Sequence, residues 1–361
     1  MRENKINSLQ LSGILVMMMM ASYLGAGVFS VIKAAGVDAY LSIILGGIIG
    51  SIILIMFTYI FNYEPDLTLD QKIIKLFGKK IGTIIITIIS LIVFSMGMTA
   101  IFNLTNFITS QFLPETPLIL IALVFSFLVI LINTKGIEVI SRTCLILIVI
   151  NFILHLIALI GLIPGFEFSN IKPFLEHGLK RPMLGATYVM GFNILPIFLL
   201  LMIPKNSLVD KENVNKFLTG FYIWGIILMF LVMLLTMGNL GIYLSSIYQY
   251  PEYIALKNIS IFGFIDRIEN LVSSQWIFGL FINLTMVVYF LANTVKKDYH
   301  GKIVPTIITL AILFTSAYIF KNNTMFNNYT YNYSLFPRII ILVILTFMVI
   351  AIYFKKRRTN N

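Results

Sequence analysis

Long apolar segments, ten in number, fill most of this 361-residue chain and leave only short polar connections between them. A helix that spans a membrane needs about 20 apolar residues. Only 11% of the residues are charged, whereas a soluble protein has about a quarter. Runs this long and uniform are unlike the alternating strands of an outer-membrane barrel. The pattern therefore predicts an all-α polytopic membrane protein with ten transmembrane helices, at residues 9–32, 40–61, 81–112, 117–133, 139–163, 183–204, 217–244, 270–295, 303–320 and 335–354.

The positive charges, which give the chain a net charge of +11, lie in the connections between these segments. This placement indicates contact with lipid headgroups and not binding to nucleic acid. If the N-terminus is cytoplasmic, 18 of the 26 Lys and Arg residues fall on the inner side. Because cytoplasmic loops are enriched in Lys and Arg, we expect both termini in the cytoplasm. The outer residues are then Lys33, Lys172, Lys180, Arg181, Lys257, Arg267, Lys321 and Arg338.

Motifs for catalysis or metal binding are absent from the sequence. It has no Gly-rich phosphate loop with lysine, no nucleophile elbow and no HExxH-type zinc site. The single cysteine, Cys144, excludes an internal disulfide, and the three histidines are too scattered to indicate a metal site. We therefore expect neither an enzyme nor a bound cofactor or metal.

Two of the apolar segments contain residues that interrupt a helix. The first has YLGAGVFS, where the GAG triplet at residues 25–27 weakens the helix at membrane depth. The sixth has YVMGFNILP, with Gly191, the polar Asn193 and the helix-breaking Pro196. Each interruption alone could be a packing notch. Breaks at matching places in two halves of a chain indicate a transporter-type site, in which unwound backbone binds the ligand.

The two predicted breaks divide a single transmembrane domain, residues 1–361, into a five-plus-five arrangement. The first repeat would cover about residues 9–163, and the second about residues 183–320. The last segment, 335–354, is followed by a basic tail at 355–361.

Polar residues recur at helical spacing in the third and eighth segments, and so occupy roughly one helix face in each. Such stripes either hold helices together by hydrogen bonds or line a cavity. We favour cavity lining, because these two segments flank the broken helices in a five-plus-five fold. The stripes are Ser95, Thr99, Asn103 and Asn106 in the third segment, and Asn283, Thr285, Tyr289 and Asn293 in the eighth.

Ionisable residues within apolar segments are costly and often functional. His155 lies in the middle of the fifth segment, where it could take part in proton coupling or be a neutral histidine bonded to a neighbouring helix. Asp266, Arg267 and Glu269 cluster at the start of the eighth segment. The two carboxylates could attract a cation or an ammonium group, or could pair with Arg267 and Lys257 as interface anchors.

Two connections between the apolar segments have sequence patterns of their own. The sequence DLTLDQKIIKLFGKK, from Asp66 to Lys80, has apolar residues on one helical face and lysines largely elsewhere. This pattern predicts a helix that lies along the cytoplasmic interface. The connection from Tyr248 to Asn270 begins near a proline and is rich in aromatic residues, and we interpret most of it as an interfacial connector.

Ten segments with a broken first helix resemble the amino acid–polyamine–organocation superfamily, with its LeuT-like inverted repeat. The stretch YPEYIALKNISIFGFIDRIE, from Tyr250 to Glu269, followed by Trp276, resembles the signature region of spore germination permeases. These are the B subunits of nutrient germinant receptors in endospore-forming bacteria. The segment ASYLGAGVFS resembles the same family, and the resemblance covers essentially the full length of the chain.

The resemblance implies a sensor in the spore inner membrane, built on a transporter scaffold and without enzymatic activity. Such a subunit binds a small nutrient, typically an amino acid, and triggers ion release and germination with a larger A subunit and a C-subunit lipoprotein. The alternatives are an amino-acid permease coupled to protons or sodium, and a purely structural membrane scaffold. His155 and Glu269 are the possible ion- or proton-linked residues. The expected ligand-binding residues are Gly25, Ala26, Gly27, Phe94, Met98, Gly191, Asn193, Thr285 and Tyr289.

Overall fold

The regular structure of the described residues is helical, which confirms the predicted all-α class. The computed structural model describes residues 5–176, 178–257, 268–295, 301–333 and 335–360. The helices are α1 (Ser8–Tyr23), α2 (Ala26–Ala35), α3 (Ala39–Asn62), α4 (Leu69–Gln111), α5 (Leu118–Asn133), α6 (Ile137–Leu162), α7 (Lys180–Leu200), α8 (Val214–Ile247), α9 (Pro251–Lys257), α10 (Ile268–Val295), α11 (Ile303–Ile319), α12 (Asn323–Asn328) and α13 (Leu335–Asn360).

Seven helical runs in the described residues are long and apolar enough to cross a membrane. Three shorter apolar helices, α1, α5 and α11, accompany them. α1 has only 16 residues because the first apolar segment is interrupted after Tyr23. The seven long runs are Ala26–Asn62, Leu69–Gln111, Ile137–Leu162, Lys180–Leu200, Val214–Ile247, Ser273–Val295 and Asn323–Arg358.

α1 lies at the centre of the molecule, since α6, α7, α8 and α10 all pack against it. Every residue from Gln10 to Ala21 is buried, as expected for a helix that is apolar on all sides. A capping box between Asn7 and Gln10 fixes its first turn. The Ser8 amide also donates a hydrogen bond to the Asp210 carboxylate (2.7 Å), which ties the start of α1 to the connection after α7.

The chain leaves the helical conformation between α1 and α2, at Leu24 and Gly25. Leu24 is extended, and Gly25 has φ +70° and ψ −116°. A residue with a side chain rarely adopts such angles, so the turn requires glycine. The interruption therefore falls within the sequence that predicted it.

The sixth apolar segment differs from its prediction, because α7 is one continuous helix that includes both Gly191 and Pro196. No break is present at Gly191, which is not among the glycines with positive φ. A proline removes a single amide donor, and neighbouring helices in a membrane protein can compensate for that loss. Gly191 instead allows a side chain from α13 to pack closely against α7.

Within the segment from Asp66 to Lys80, residues Leu69 to Phe77 form a separate helical stretch at the start of α4, because Gly78 has φ +78° and interrupts the helix there. Lys72 departs from the predicted polar face, since it is fully buried. Its Nζ donates hydrogen bonds to the carbonyl oxygens of Ile60 (3.0 Å) and Phe61 (3.2 Å). These carbonyls end α3, where the helix dipole favours a cation.

Candidate functional site

A cavity of about 100 Å³ lies where α1, α2, α4, α7, α10 and α13 meet. The helix break forms one wall, with Ala21 and Ser22 from the end of α1 and Ala26 and Gly27 from the start of α2. About 10–15 Å³ of such a volume is enough for one water molecule, so the cavity has room for a small molecule. The break thus borders a space that can hold a small ligand.

Gly25 lies behind this wall, in close contact with α10 and with the chain just before α9. A Cβ at Gly25 would lie 2.5 Å from Cζ2 of Trp276, and closer still to Cη2. It would also lie 3.1 Å from Cδ1 of Tyr250. Trp276 is itself fixed, because its Nε1 donates a hydrogen bond to the carbonyl of Ala21 (3.2 Å). The geometry of the break therefore depends on residues far away in the sequence.

Glu252, in α9, binds the backbone of the break directly. The Gly25 N–H donates to Oε1 of Glu252, and so this amide at the start of α2 has a partner. The neighbouring Tyr250 hydroxyl accepts a hydrogen bond from Nδ2 of Asn106 on α4 (2.8 Å). Part of Glu252 is accessible, but its Oε2 is buried and has no hydrogen-bond partner among the described residues. Burial raises the pKa of Glu252 to about 7, and the hydrogen bond from Gly25 opposes this rise.

The polar stripe on α4 faces the cavity through Ser95, Thr99 and Asn103. Asn103 is only 8% exposed, and its Oδ1 has no hydrogen-bond partner among the described residues. Phe94 and Met98, which we expected to shape the pocket, do not line it. Successive residues of a helix point about 100° apart, so the residues just before Ser95 and Thr99 face elsewhere.

α7 reaches the cavity through Phe192 and not through Gly191 or Asn193. A Cβ at Gly191 would lie 2.5 Å from Cδ of Arg338 and 2.8 Å from its Nη1. The Arg338 guanidinium lies over the Phe192 ring, with Cζ 4.8 Å from the ring centroid. Asn193 is fully buried on another side of α7, where its Nδ2 donates to the Tyr222 hydroxyl on α8 (3.4 Å). Arg338, counted in the sequence as an outer topology residue, lines the cavity.

Thr285 and Tyr289 are buried on α10 but do not line the cavity. The Thr285 carbonyl accepts a hydrogen bond from Nδ2 of Asn133 on α5 (3.3 Å), which places this part of the stripe in helix packing. The same helix contributes Asn283 to the cavity. Its Nδ2 donates to the Ser22 hydroxyl (3.3 Å) at the end of α1.

Two ionisable residues of the prediction, His155 and Glu269, lie apart from the cavity. His155 is buried in α6, with its Nδ1 2.9 Å from the carbonyl oxygen of Asn151 in the same helix. Glu269 is buried in the first turn of α10. Asp266 and Arg267 lie outside the described residues.

Other surfaces of the molecule offer less to a polar ligand. No group of three or more His, Cys, Asp or Glu side chains that could hold a metal comes together in the part of the chain that the structure describes. A larger groove of about 820 Å³ lies between α3 and α8. Its walls include exposed isoleucines such as Ile48 and Ile227, as expected for a lipid-facing surface. The cavity at the break is therefore the candidate site.

Comparison with known proteins gives the family. The model described as spore germination protein matches residues 5–326. The chain belongs to the spore germination protein family. It is 26% identical over 349 residues to spore germination protein A2 of Bacillus subtilis (strain 168), with 94% of each chain covered. It is 24% identical over 265 residues to spore germination protein XB of Bacillus anthracis, with 73% of each covered. The resemblance found in the sequence is thereby confirmed.

Solved structures with a similar fold are membrane transporters. A manganese transporter of Eremococcus coleocola has a TM-score of 0.65 at 17% identity, over 95% of this chain and 78% of the transporter. Mhp1, a nucleobase-cation-symport-1 family transporter with bromovinylhydantoin bound, has a TM-score of 0.64 at 15% identity, over 90% and 74%. At these identities the likeness shows the fold alone, which is LeuT-like. The family therefore has a transporter fold and is not a class of enzymes.

Proposed function

We propose that this chain is the nutrient-binding B subunit of a spore germinant receptor. The family supports a role in germination, and the cavity beside the helix break supplies a place for a small ligand, such as an amino acid. A ligand shifts a conformational equilibrium only by its different affinity for the two states. Binding against the break would favour one arrangement of α1 and α2, and this difference would be the signal.

In this proposal all ten apolar segments cross the spore inner membrane, and both termini are cytoplasmic. The short helices α1, α5 and α11 then count as spans, and the two halves form a five-plus-five inverted repeat. The likeness to transporters supports this arrangement. The chain would act with an A subunit and a C lipoprotein subunit to start ion release.

The observation that most supports the site is the meeting of the helix break with polar side chains from α4 and α10 around one cavity. A Cβ at Gly27 would lie 2.7 Å from the Ser22 carbonyl oxygen and 3.3 Å from the Phe192 ring. A Gly27→Leu variant therefore obstructs the cavity wall. Gly220 is a matched control, because a Cβ there meets no atom within 4 Å.

The test uses spores in which the gene for this chain is deleted and then restored by complementation. We expect deletion to abolish the response to one class of nutrient. Spores with Gly27→Leu should also fail to respond, although the chain is present in the membrane, and Gly220→Leu spores should respond normally. A normal response from Gly27→Leu spores contradicts the site, and a normal response after deletion contradicts the function.

A coupled amino-acid permease is the second candidate, and the transporter fold favours it. Proteoliposomes that contain this chain alone would then accumulate labelled amino acid in a proton or sodium gradient, and an ionophore would abolish the accumulation. A receptor subunit that needs its partners shows no accumulation in the same vesicles.

A further inference from the structure

Arg338 is the cationic side chain among the described residues that line the cavity. It belongs to the first turns of α13, and its side chain lies between α13 and α7. Gly191 makes this position possible, since a Cβ on α7 would collide with Cδ of the arginine. The Phe192 ring then supports the guanidinium from one side, in a cation–π contact.

The guanidinium has an unused hydrogen-bonding capacity. Its Nη1 is buried and has no hydrogen-bond partner among the described residues. No acidic residue is among those that line the cavity. The Arg338 side chain as a whole is half-buried, and a cation that is partly removed from water without an anionic partner is unfavourable. Ionisable residues at membrane depth are functional as a rule. The site is therefore built to receive a negative charge from outside the chain.

The start of α2, which also lines the cavity, has the same electrostatic sign. Ala26 and Gly27 begin α2, and the first turn of a helix carries partial positive charge on its amides. The Gly25 amide is already bound by Glu252, so the backbone of the break alone offers fewer donors than the sequence suggested. A side-chain donor such as Arg338 compensates for that loss.

One strong acceptor complements these donors. Asn103 lines the same cavity, and its Oδ1 is buried and has no hydrogen-bond partner among the described residues. This oxygen can accept a hydrogen bond from an ammonium group. The cavity lining thus combines a cation and the positive end of a helix with an unpartnered acceptor, which matches the opposite charges of a zwitterion.

We propose that Arg338 recognises the carboxylate of the nutrient, and that Asn103 accepts a hydrogen bond from its amino group. This inference rests on the proposed function, and it names the class of ligand: a small amino acid with a free carboxylate. A guanidinium binds a carboxylate through two parallel hydrogen bonds, which a lysine cannot reproduce. The volume of about 100 Å³ accommodates a small ligand.

The first test needs no variant. The full-length chain, purified in nanodiscs, is heated in the presence of one compound at a time. The compounds are three amino acids (glycine, L-alanine and L-serine), their three amides (glycinamide, L-alaninamide and L-serinamide) and glucose as a neutral nutrient. A ligand that binds only the folded state raises the midpoint of unfolding. We expect at least one amino acid to raise the midpoint and its amide to bind at least about 30-fold more weakly, since breaking a buried charge pair has effects of this order.

The second test compares variants of the arginine. Arg338→Gln should lose at least about 30-fold in affinity for the amino acid, while its affinity for the amide stays unchanged. Arg338→Lys keeps the charge and should recover only part of the loss. Arg142→Gln is the matched control, because Arg142 is exposed and pairs with Glu138 on α6. It should bind like the wild type.

The outcomes separate this inference from the proposed function. Equal binding of acid and amide, a response to glucose alone, or no response to any compound of the panel overturns the role of Arg338. If Arg338→Gln does not fold, the acid–amide comparison in the wild type and in Arg338→Lys still decides. Spores that need this chain for germination but respond equally to acids and amides would retain the receptor function and reject the carboxylate site.

Discussion

Substitution of Gly25 by alanine tests whether the helix break is fixed by its surroundings. The backbone angles of Gly25 impose a strain of about 1–3 kcal/mol on a residue with a side chain. The new Cβ would also lie 2.5 Å from Cζ2 of Trp276, and overpacking of this kind costs about 1–3 kcal/mol. We therefore expect Gly25→Ala to lower the free energy of unfolding by about 2–6 kcal/mol.

Trp276 cannot move aside freely. Its Nε1 is bonded to the Ala21 carbonyl, and its ring meets Phe107 with the centroids 4.5 Å apart and Tyr250 with the centroids 5.3 Å apart. A shift of the indole therefore disturbs the contacts that connect α1, α4 and α10. This is the reason to expect the upper part of the range.

A double-mutant cycle separates the two contributions. Trp276→Phe shortens the ring and removes the atoms that the new Cβ would meet, so Gly25→Ala should cost only the backbone strain in that background. The coupling between the two positions should be about 1–3 kcal/mol. Gly220→Ala is the control, since open space surrounds that position, and it should be neutral or slightly stabilising.

The free energy of unfolding is measured in detergent by denaturant titration, with the nutrient response of spores as a parallel assay. A cost below about 1 kcal/mol for Gly25→Ala would refute the reasoning. If Gly25→Ala costs the same free energy of unfolding in the wild type and in the Trp276→Phe background, the backbone strain still accounts for the cost, but the steric contribution of Trp276 is refuted.

Two further changes test contacts that the sequence did not indicate. Lys72→Met leaves the carbonyls of Ile60 and Phe61 buried without a donor and should lower the free energy of unfolding by about 1–3 kcal/mol. Lys79→Met, at an exposed position, is the control and should be neutral. Equal free energies of unfolding for the two variants contradict the capping role of Lys72. Glu252 has a pKa raised by burial from 4.5 to about 7. Its protonated form therefore adds stability that is complete below about pH 4.5 and is lost as the pH rises through about 7. Glu252→Gln should remove this part of the pH dependence of the melting temperature, and parallel curves for the two proteins would show that the carboxyl is not buried in solution.

Periodicity and glycine placement were sufficient to predict the helical class, the break in the first segment and the face of α4 with Ser95, Thr99 and Asn103. These features are local, because they depend on residues within one helix turn of each other. Phe94 and Met98, one position before Ser95 and Thr99, do not line this cavity, because their side chains leave the helix about 100° away from those of the stripe.

The remaining features of the site depend on contacts between distant parts of the chain. Glu252 binds Gly25 across 227 positions of sequence, and nothing in its own connection distinguishes it from an interfacial anchor. Arg338 stands near the start of an apolar segment, where an arginine normally marks the membrane surface. Only the packing of α13 against Gly191 shows that its side chain turns inward.

The position of Arg338 also bears on how binding becomes a signal. α13 contains the last of the ten predicted segments, while α2 belongs to the first of them. A ligand held between the Arg338 guanidinium and the first turn of α2 would connect the last helix to the helix break. Its affinity would then depend on the distance between α13 and α2, which is the difference between states that a sensor requires. A ligand bound by the backbone of the break alone would have no such dependence on α13.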